Sequence, residues 1–521
     1  MKIYKLIKLY NLTPKSRLKF VLVGVISFFC LAAFSAPNML AGESDLDGSY
    51  TPTVDNVIFS IAVQPNGKSI IGGTFSTVNG QARKYITRLN LDGTLDAAFN
   101  STTSPNGGVF SVVLQPDGKV LVGGGFTVFD GAPHGRIVRL NTDGTVDNTF
   151  NSPVGANNSV ETIALQSDGK ILIGGSFTTY DAAARTFVAR LNADGSLDTT
   201  FNATVTFSQI GGVRVVIPIN NGTIYIGGAF DRVNSTNRYC IARLNASGSL
   251  DTTFNPGSGG GYVEAILPQP GGEVLVGGSF NSFNGASRIG VVRLNATGSV
   301  DGTFQATSLQ NFNLVYNLVP QPGGKVLISG SITSLNGNTS GSGYRHGIIR
   351  VNPDGSRDTT FTVNDGTNGT VNATAIQPDG KILIGGQFIS YNNINQAPLA
   401  RLNGMPVTAA GVSVSGRVTT YNGRGVGRAQ IILTEADGTT RSAISNSRGN
   451  FRFDEIAAGQ TCVIAIQSKR FRFGEPTRVV YLTDNVSDLD FVALPERWDN
   501  VMPYKMLKIE HFEKAASRMN H

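Results

Sequence analysis

Charge, histidine and cysteine are all scarce in this chain: of 521 residues only 15% are charged, four are histidine and three are cysteine. So few cysteines exclude a disulfide scaffold. Cys30 lies in an N-terminal apolar run, and Cys240 and Cys462 fall in what the repeats below define as separate domains, so both are expected to be buried small hydrophobes. The scarcity of histidine excludes a histidine-rich metal centre, because the repeated part of the chain holds only His134 and His346. No cofactor, metal or catalytic residue is expected. The formal charge of +7 would invite nucleic acid or an anionic membrane as partner. That excess has one source: residues 1–35 carry six basic side chains and no acidic one, leaving +1 for everything after them and −2 for Ala36 to Ala410. Nucleic acid is therefore not an expected partner.

The basic stretch precedes Phe20 to Ala36, an uncharged apolar run ending in small residues, which is the layout of a secretory signal peptide. Cleavage is expected after Ser35, with Ala33 at the upstream small position. An uncleaved anchor is the alternative, since about 17 apolar residues is the lower limit for a span. No small residues precede Cys30 as they would in a lipoprotein. The expected product is exported to the periplasm, the cell surface or the medium, with no membrane span after cleavage.

Glycine is abundant, at 63 residues, and its distribution follows a block of about 51 residues that recurs seven times. The segment RLN or a variant ends at Asn90, Asn141, Asn192, Asn245, Asn295, Asn352 and Asn403. Each copy holds four short apolar runs separated by Asp-Gly-type turns and one longer loop, the pattern of a four-stranded β-propeller blade. A β-solenoid is the competing architecture. Ring closure separates them: the seventh copy lacks its LDxxF strand, whereas an orphan LDGSY from Leu46 to Tyr50 precedes the first. A ring needs such shared ends to leave no open sheet edge, and a solenoid has no use for them. The fold class is thus all-β, a seven-bladed β-propeller over residues 46–403 closed by an N-terminal strand and followed by a β-sandwich.

The segments from Gln115 to Phe126 and from Val138 to Phe150, with their copies, resemble the delta-60 repeat, a β-propeller-type repeat of secreted and surface bacterial proteins. The resemblance implies architecture and export more firmly than activity, since propellers host unrelated functions. After a linker at 404–411, residues 412–494 change plan, and their SGRV, GVGRAQIILT and NSRGNFRF elements resemble the carboxypeptidase regulatory-like domain, an immunoglobulin-like or prealbumin-like sandwich. That module implies a spacer or interaction role and no peptidase. A tail at 495–521 follows.

Charges that recur once per blade, from Asp47 and Asp96 through Asp358 and from Arg88 through Arg401, are expected to be scaffold. The Gly-Gly pairs, such as Gly123 with Gly124, are expected at bulges or close backbone approaches. Departures from the repeat, Ser329 and Arg357 in copy six and Ile219 and Thr223 in copy four, are expected to mark locally adapted blades. The face carrying the variable loops is the expected binding face. One strand position, each time after a Val or Ile, varies most widely in chemistry: Phe59, Phe110, Glu161, Arg214, Glu264, Tyr316 and Asn372. It should ring the mouth of the central channel. A solvated ion-pair row supporting the channel is the plain reading; the functional one is a ligand site built from Glu161, Arg214, Glu264, Tyr316 and Asn372, with the aromatics stacking on a polar ligand such as a glycan. In the sandwich, Arg470 and Arg472 alternate with Phe471 and Phe473, as a solvated face over a buried aromatic one. The function expected is that of a monomeric exported binding or scaffold protein whose partner is an envelope protein or polysaccharide. The alternatives are a glycan-processing enzyme, for which Glu161 and Glu264 are the available carboxylates, and a purely structural envelope component.

Overall fold

The computed structural model describes residues 42–494 apart from short segments at 100–103, 153, 210, 220–221, 260, 305–311, 333–346, 397, 405–410, 436–438, 458–459, 474–476, 483–485 and 488. The expected signal peptide, most of the linker, the tail and His346 lie outside the described residues. Among the described residues the regular structure is strand throughout, apart from one 3-10 turn at Pro322–Gly324.

Blade 3 shows how the repeat folds. Strand a (Val160–Leu165) pairs antiparallel with strand b (Ile171–Gly175), which pairs with strand c (Val188–Leu191). The a–b hairpin turns at Gly169, whose φ of 83° is open only to a residue without a Cβ clash, and Asp168 accepts a 3.0 Å hydrogen bond from the Lys170 amide. Every residue of strand b is buried, because a neighbouring blade covers each of its faces. The same a–b–c order recurs with strands a at Ile58–Val63, Val109–Leu114, Gly212–Pro218, Tyr262–Pro268, Phe312–Pro320 and Thr370–Ile376.

The fourth strand is shorter than its sequence predicts. LDxxF forms a single bridge to strand c, as at Leu191 with Leu197, and then leaves the sheet. The aspartate explains the exit: Asp198 Oδ1 accepts from the Thr200 amide and hydroxyl at 2.9 and 2.6 Å, which turns the chain outward. The longer b–c loop is more ordered than its sequence predicts. In the six blades where it is described it forms a two-residue hairpin, such as Thr77–Val78 with Gln81–Ala82, that also bridges the preceding d–a segment at Val54.

The ring closes as expected. Leu46 bridges Leu402, the Asp47 amide donates to the Arg401 carbonyl at 2.8 Å, and Asn372 Nδ2 of blade 7 donates to the Ile58 carbonyl of blade 1 at 3.1 Å. The recurring charges form one network. In each blade the arginine Nε donates to the aspartate Oδ2, at 2.6 Å for Arg88 with Asp96 and 2.7 Å for Arg190 with Asp198. The same guanidinium lies over the aromatic of the LDxxF motif, 4.9 Å from the Phe201 centroid in blade 3. Its Nη1 reaches the next blade: Arg88 to the Thr142 carbonyl, Arg139 to that of Ala193, and, across the closure, Arg401 to that of Leu91. At blade 6 the next c–d turn is interrupted by the chain ends, and Arg350 pairs instead with Glu43. Each arginine is therefore both a strut within its blade and a staple to the following one.

A lysine immediately before strand b adds a second cation to this aspartate in five blades, as Lys170 does to Asp198 at 2.7 Å. Blades 4 and 5 carry Thr223 and Glu273 there, and their Asp251 and Asp301 are correspondingly more exposed. Burial works to raise the Asp47, Asp147, Asp198 and Asp358 carboxyls, but hydrogen bonds from lysine, from the following Ser or Thr and from arginine outweigh it and hold them far below the usual range. A depressed carboxyl contributes stability that is complete above its unfolded pKa, about 4, and is lost as pH falls toward the folded value. These aspartates are thus expected to leave the urea midpoint unaffected above about pH 5 and to lower it steadily below about pH 4. A midpoint independent of pH down to 3 would contradict it.

The sandwich packs a sheet of Gly411–Thr420, Asn450–Ala457 and Phe491–Ala493 against one of Gln430–Thr434, Thr440–Ile444, Gln460–Gln467 and Thr477–Leu482. Its core includes Val418, Ile431, Phe451, Ile464 and Phe491. Phe471 and Phe473 pack against that core while Arg470 and Arg472 are exposed, as their alternation predicts. Cys240 and Cys462 are both buried, as expected.

Candidate functional site

All seven residues of the variable column sit on a β-bulge. In strand a of blade 3, Val160 pairs with Gly175 and Thr162 with Gly174, so Glu161 is the extra residue with no partner on strand b. The same register shift singles out Phe59, Phe110, Arg214, Glu264, Tyr316 and Asn372. A bulge bends its strand and re-aims the extra side chain, which is why this position escapes the apolar packing that constrains its neighbours. The Gly-Gly pair makes the bulge possible. A Cβ on Gly124 would lie 2.1 Å from the Gly108 carbonyl oxygen, and one on Gly277 would lie 2.6 Å from a Val315 methyl of the next blade. Ser329 replaces the first glycine in blade 6 without a clash because Thr374 stands opposite, and the two hydroxyls hydrogen-bond at 2.7 Å.

The column divides into three groups. Phe59 and Phe110 meet edge to face, with centroids 5.5 Å apart. Glu161, Arg214, Glu264 and Tyr316 form an electrostatic cluster. Arg214 Nη1 lies 3.0 Å from Glu161 Oε2, an ion pair without hydrogen-bond alignment, since that oxygen has no hydrogen-bond partner. The other carboxylate oxygen accepts from the Ser176 and Ser159 hydroxyls at 2.7 and 3.1 Å. Arg214 remains 44% exposed, so its guanidinium is open to a ligand. Burial pushes the Glu264 carboxyl up to about 7, with Glu161 adding to the rise and Arg214 opposing it. Burial, then the Glu264 charge, raises the Tyr316 phenol, which Arg214 opposes. Asn372 stands apart from this cluster: its side-chain Nδ2 is spent on the Ile58 carbonyl, and its backbone carbonyl accepts from Asn317 Nδ2 at 2.8 Å.

Three residues outside the column shape the site. Ser159 and Ser176 fix the Glu161 carboxylate. Tyr262, two residues before Glu264, is 49% exposed, in a column that holds Gly108, Ser159 and Gly212 in blades 2 to 4. That change from glycine or serine to tyrosine is a signal legible in the sequence. His134 is half-buried and packs edge to face on Phe129, so it is less solvated than a loop histidine is expected to be. Among the described residues no helix is long and apolar enough to cross a membrane.

The family described as Domain of unknown function (DUF5122) beta-propeller matches seven segments: residues 64–99, 115–150, 166–201, 219–254, 269–304, 321–361 and 377–405. The Carboxypeptidase regulatory-like domain matches residues 413–494. No curated protein matches. Among solved structures, the chain is similar to the WD40 beta propeller domain of Doa1, at 15% identity over 69% of this chain and 96% of that one, with a TM-score of 0.42. It is also similar to the extracellular domain of a hybrid two component system from B. thetaiotaomicron, at 10% identity over 88% of this chain and 59% of that one, TM-score 0.36. A gluconolactonase from Xanthomonas campestris matches at 13% identity over 68% and 97% of the two chains, TM-score 0.36.

Proposed function

The chain belongs to the beta-propeller repeat family just described and carries a carboxypeptidase regulatory-like domain, and from that premise we propose that it is an exported binding protein. Its ligand site is the ring of bulged residues, and its ligand is a polar glycan. One observation carries this reading: a repeat that holds its core nearly invariant places its most chemically varied strand position, which runs from aromatic to acid, base and amide, on a bulge in every blade. Arg214 and the protonated Glu264 supply donors, while Tyr316 and the Phe59–Phe110 pair supply faces on which a sugar ring can stack. Export rests on the N-terminal charge and apolar run.

Arg214→Ala and Tyr316→Ala are each expected to weaken binding on a glycan array at least about tenfold, the loss of one charged hydrogen bond or one stacking face. As pH rises through about 7, Glu264 ionises, ceases to donate and competes for Arg214, so affinity should fall between pH 6 and 8. Glu264→Gln should abolish that fall. Wild-type binding by both alanine variants would sink the proposal.

A glycan-hydrolysing reading has one observation in its favour, because a carboxyl raised to about 7 is poised as a general acid. Its partner Glu161, however, is held by Arg214 and two serine hydroxyls. Hydrolysis of chromogenic glycosides that Glu264→Gln abolishes would favour the enzyme.

A further inference from the structure

A second site lies in the sandwich, away from the channel ring. One end of the sandwich holds a cavity of about 1290 Å³, formed where Gly411–Thr420 runs into the loop before Gln430–Thr434, beside the end of Gln460–Gln467. That volume exceeds the roughly 300–1,000 Å³ of small-molecule pockets. Its walls include four exposed cations, Arg424, Arg428, Lys469 and Arg470, and no Asp or Glu among the described residues. Elsewhere in the domain two arginines meet acids, Arg441 with Glu435 at 2.7 Å and Arg452 with Asp454 at 2.6 Å. Arg424, Arg428 and Lys469 make no ion pair among the described residues, although the sandwich as a whole is close to neutral. The cavity wall therefore gathers four cations with no acid beside them among the described residues.

From this geometry we propose that the cavity binds an acidic polysaccharide, one bearing carboxylate or sulfate groups along its chain. The charge calls for a polyanion. The shape selects among polyanions, because a lipid bilayer cannot enter a concave cavity, whereas a sugar chain can lie in it. Tyr421, 69% exposed on the wall, supplies a stacking face, and the amides of Asn422, Gln430 and Gln467 supply hydrogen bonds to hydroxyls. Arg470 is positioned by stacking over Phe471, 5.3 Å from its centroid. Such a site would tether the protein to a charged matrix while the propeller face stays free.

The test is retention of the full mature chain on immobilised polygalacturonate, beside dextran and phosphatidylglycerol vesicles. The expected result is binding to polygalacturonate alone, weakening at least about tenfold between about 50 and about 200 mM salt. Arg424→Glu with Lys469→Glu should weaken it at least tenfold, whereas Arg214→Ala in the channel should leave it unchanged. That last arm separates this site from the glycan site of the propeller. Equal retention by the double variant would overturn the proposal, as would binding to vesicles but not to polygalacturonate. The double variant reverses only exposed charges, and an unchanged far-ultraviolet spectrum and melting temperature would show that it folds. If it did not fold, Tyr421→Ala serves as the second variant, and full retention by it would overturn the proposal.

Discussion

Asp47→Ala is expected to destabilise the propeller by about 3–5 kcal/mol, the cost of leaving a buried cation without its partner. Asp47 receives Arg401 Nε at 2.9 Å and Lys381 Nζ at 2.8 Å, and the arginine side chain is only 5% exposed. Its carboxylate also accepts from the Ser49 amide and hydroxyl at 3.0 and 2.6 Å, which sets the turn placing Tyr50 beneath the guanidinium. Alanine removes all four contacts and strands two cations. The position matters as much as the pair, because Asp47 comes from the N-terminal end of the propeller and Arg401 from its C-terminal end, so this cluster is what fastens the ring. Asp251→Ala in blade 4 is the internal control. There Thr223 takes the lysine's place, the aspartate side chain is 14% exposed, and a cost of about 1–2 kcal/mol is expected. Guanidinium unfolding followed by circular dichroism reads both. A cost below 1 kcal/mol for Asp47→Ala, or equal costs for the two, would remove the closing cluster from this account.

The residues that made the ring legible in sequence are the ones that make it in space. The orphan LDGSY could be assigned to blade 7 because Asp47 stands for the aspartate missing after Asn403, and the contact with Arg401 is that assignment in atoms. The arginine column was legible as scaffold from its period alone. Its reach into the following blade was not, because no spacing within one repeat encodes a contact with the next. The b–c hairpins were legible and went unread. Asn79-Gly80, Asp130-Gly131 and Asn284-Gly285 are hairpin dipeptides, and both residues of each adopt positive φ. They were hidden by the two-residue length of the strands they join, too short for any alternation to show. The fourth strand was over-read for the opposite reason: LDxxF alternates like a strand, but its aspartate diverts the backbone into a turn after one bridge.

The candidate site was legible as chemistry and not as geometry. A column that runs from aromatic to charged, beside one that is always Val or Ile, could be found by aligning the copies, yet the reason it may vary lies in the bulge, and the bulge lies in the glycines opposite. Asn372 belongs to the column by register and to the scaffold by its hydrogen bonds, a distinction that the register cannot carry.

That dependence of site on glycine makes the second large prediction. Gly124→Ala is expected to cost about 3 kcal/mol, at the upper end of ordinary overpacking, because its Cβ would fall 2.1 Å from the Gly108 carbonyl oxygen and backbone cannot rotate aside as a side chain can. Gly277→Ala meets a valine methyl at 2.6 Å, which can give way, and about 1–2 kcal/mol is expected. Gly131→Ala meets nothing within 4 Å and bears only the strain of its φ of 74°, about 1 kcal/mol. The order of the three tests the mechanism more sharply than any one value. Relief of the clash in Gly124→Ala requires strand a of blade 2 to withdraw at Gly108, two residues from the bulged Phe110, so the Phe59–Phe110 edge contact should open as well. Ligand binding in the channel should then weaken along with stability, whereas Gly131→Ala should lower stability alone. If Gly124→Ala costs no more than Gly131→Ala, the Gly-Gly pair is not what holds the bulge, and the invariance of that pair among six of the seven blades needs another cause.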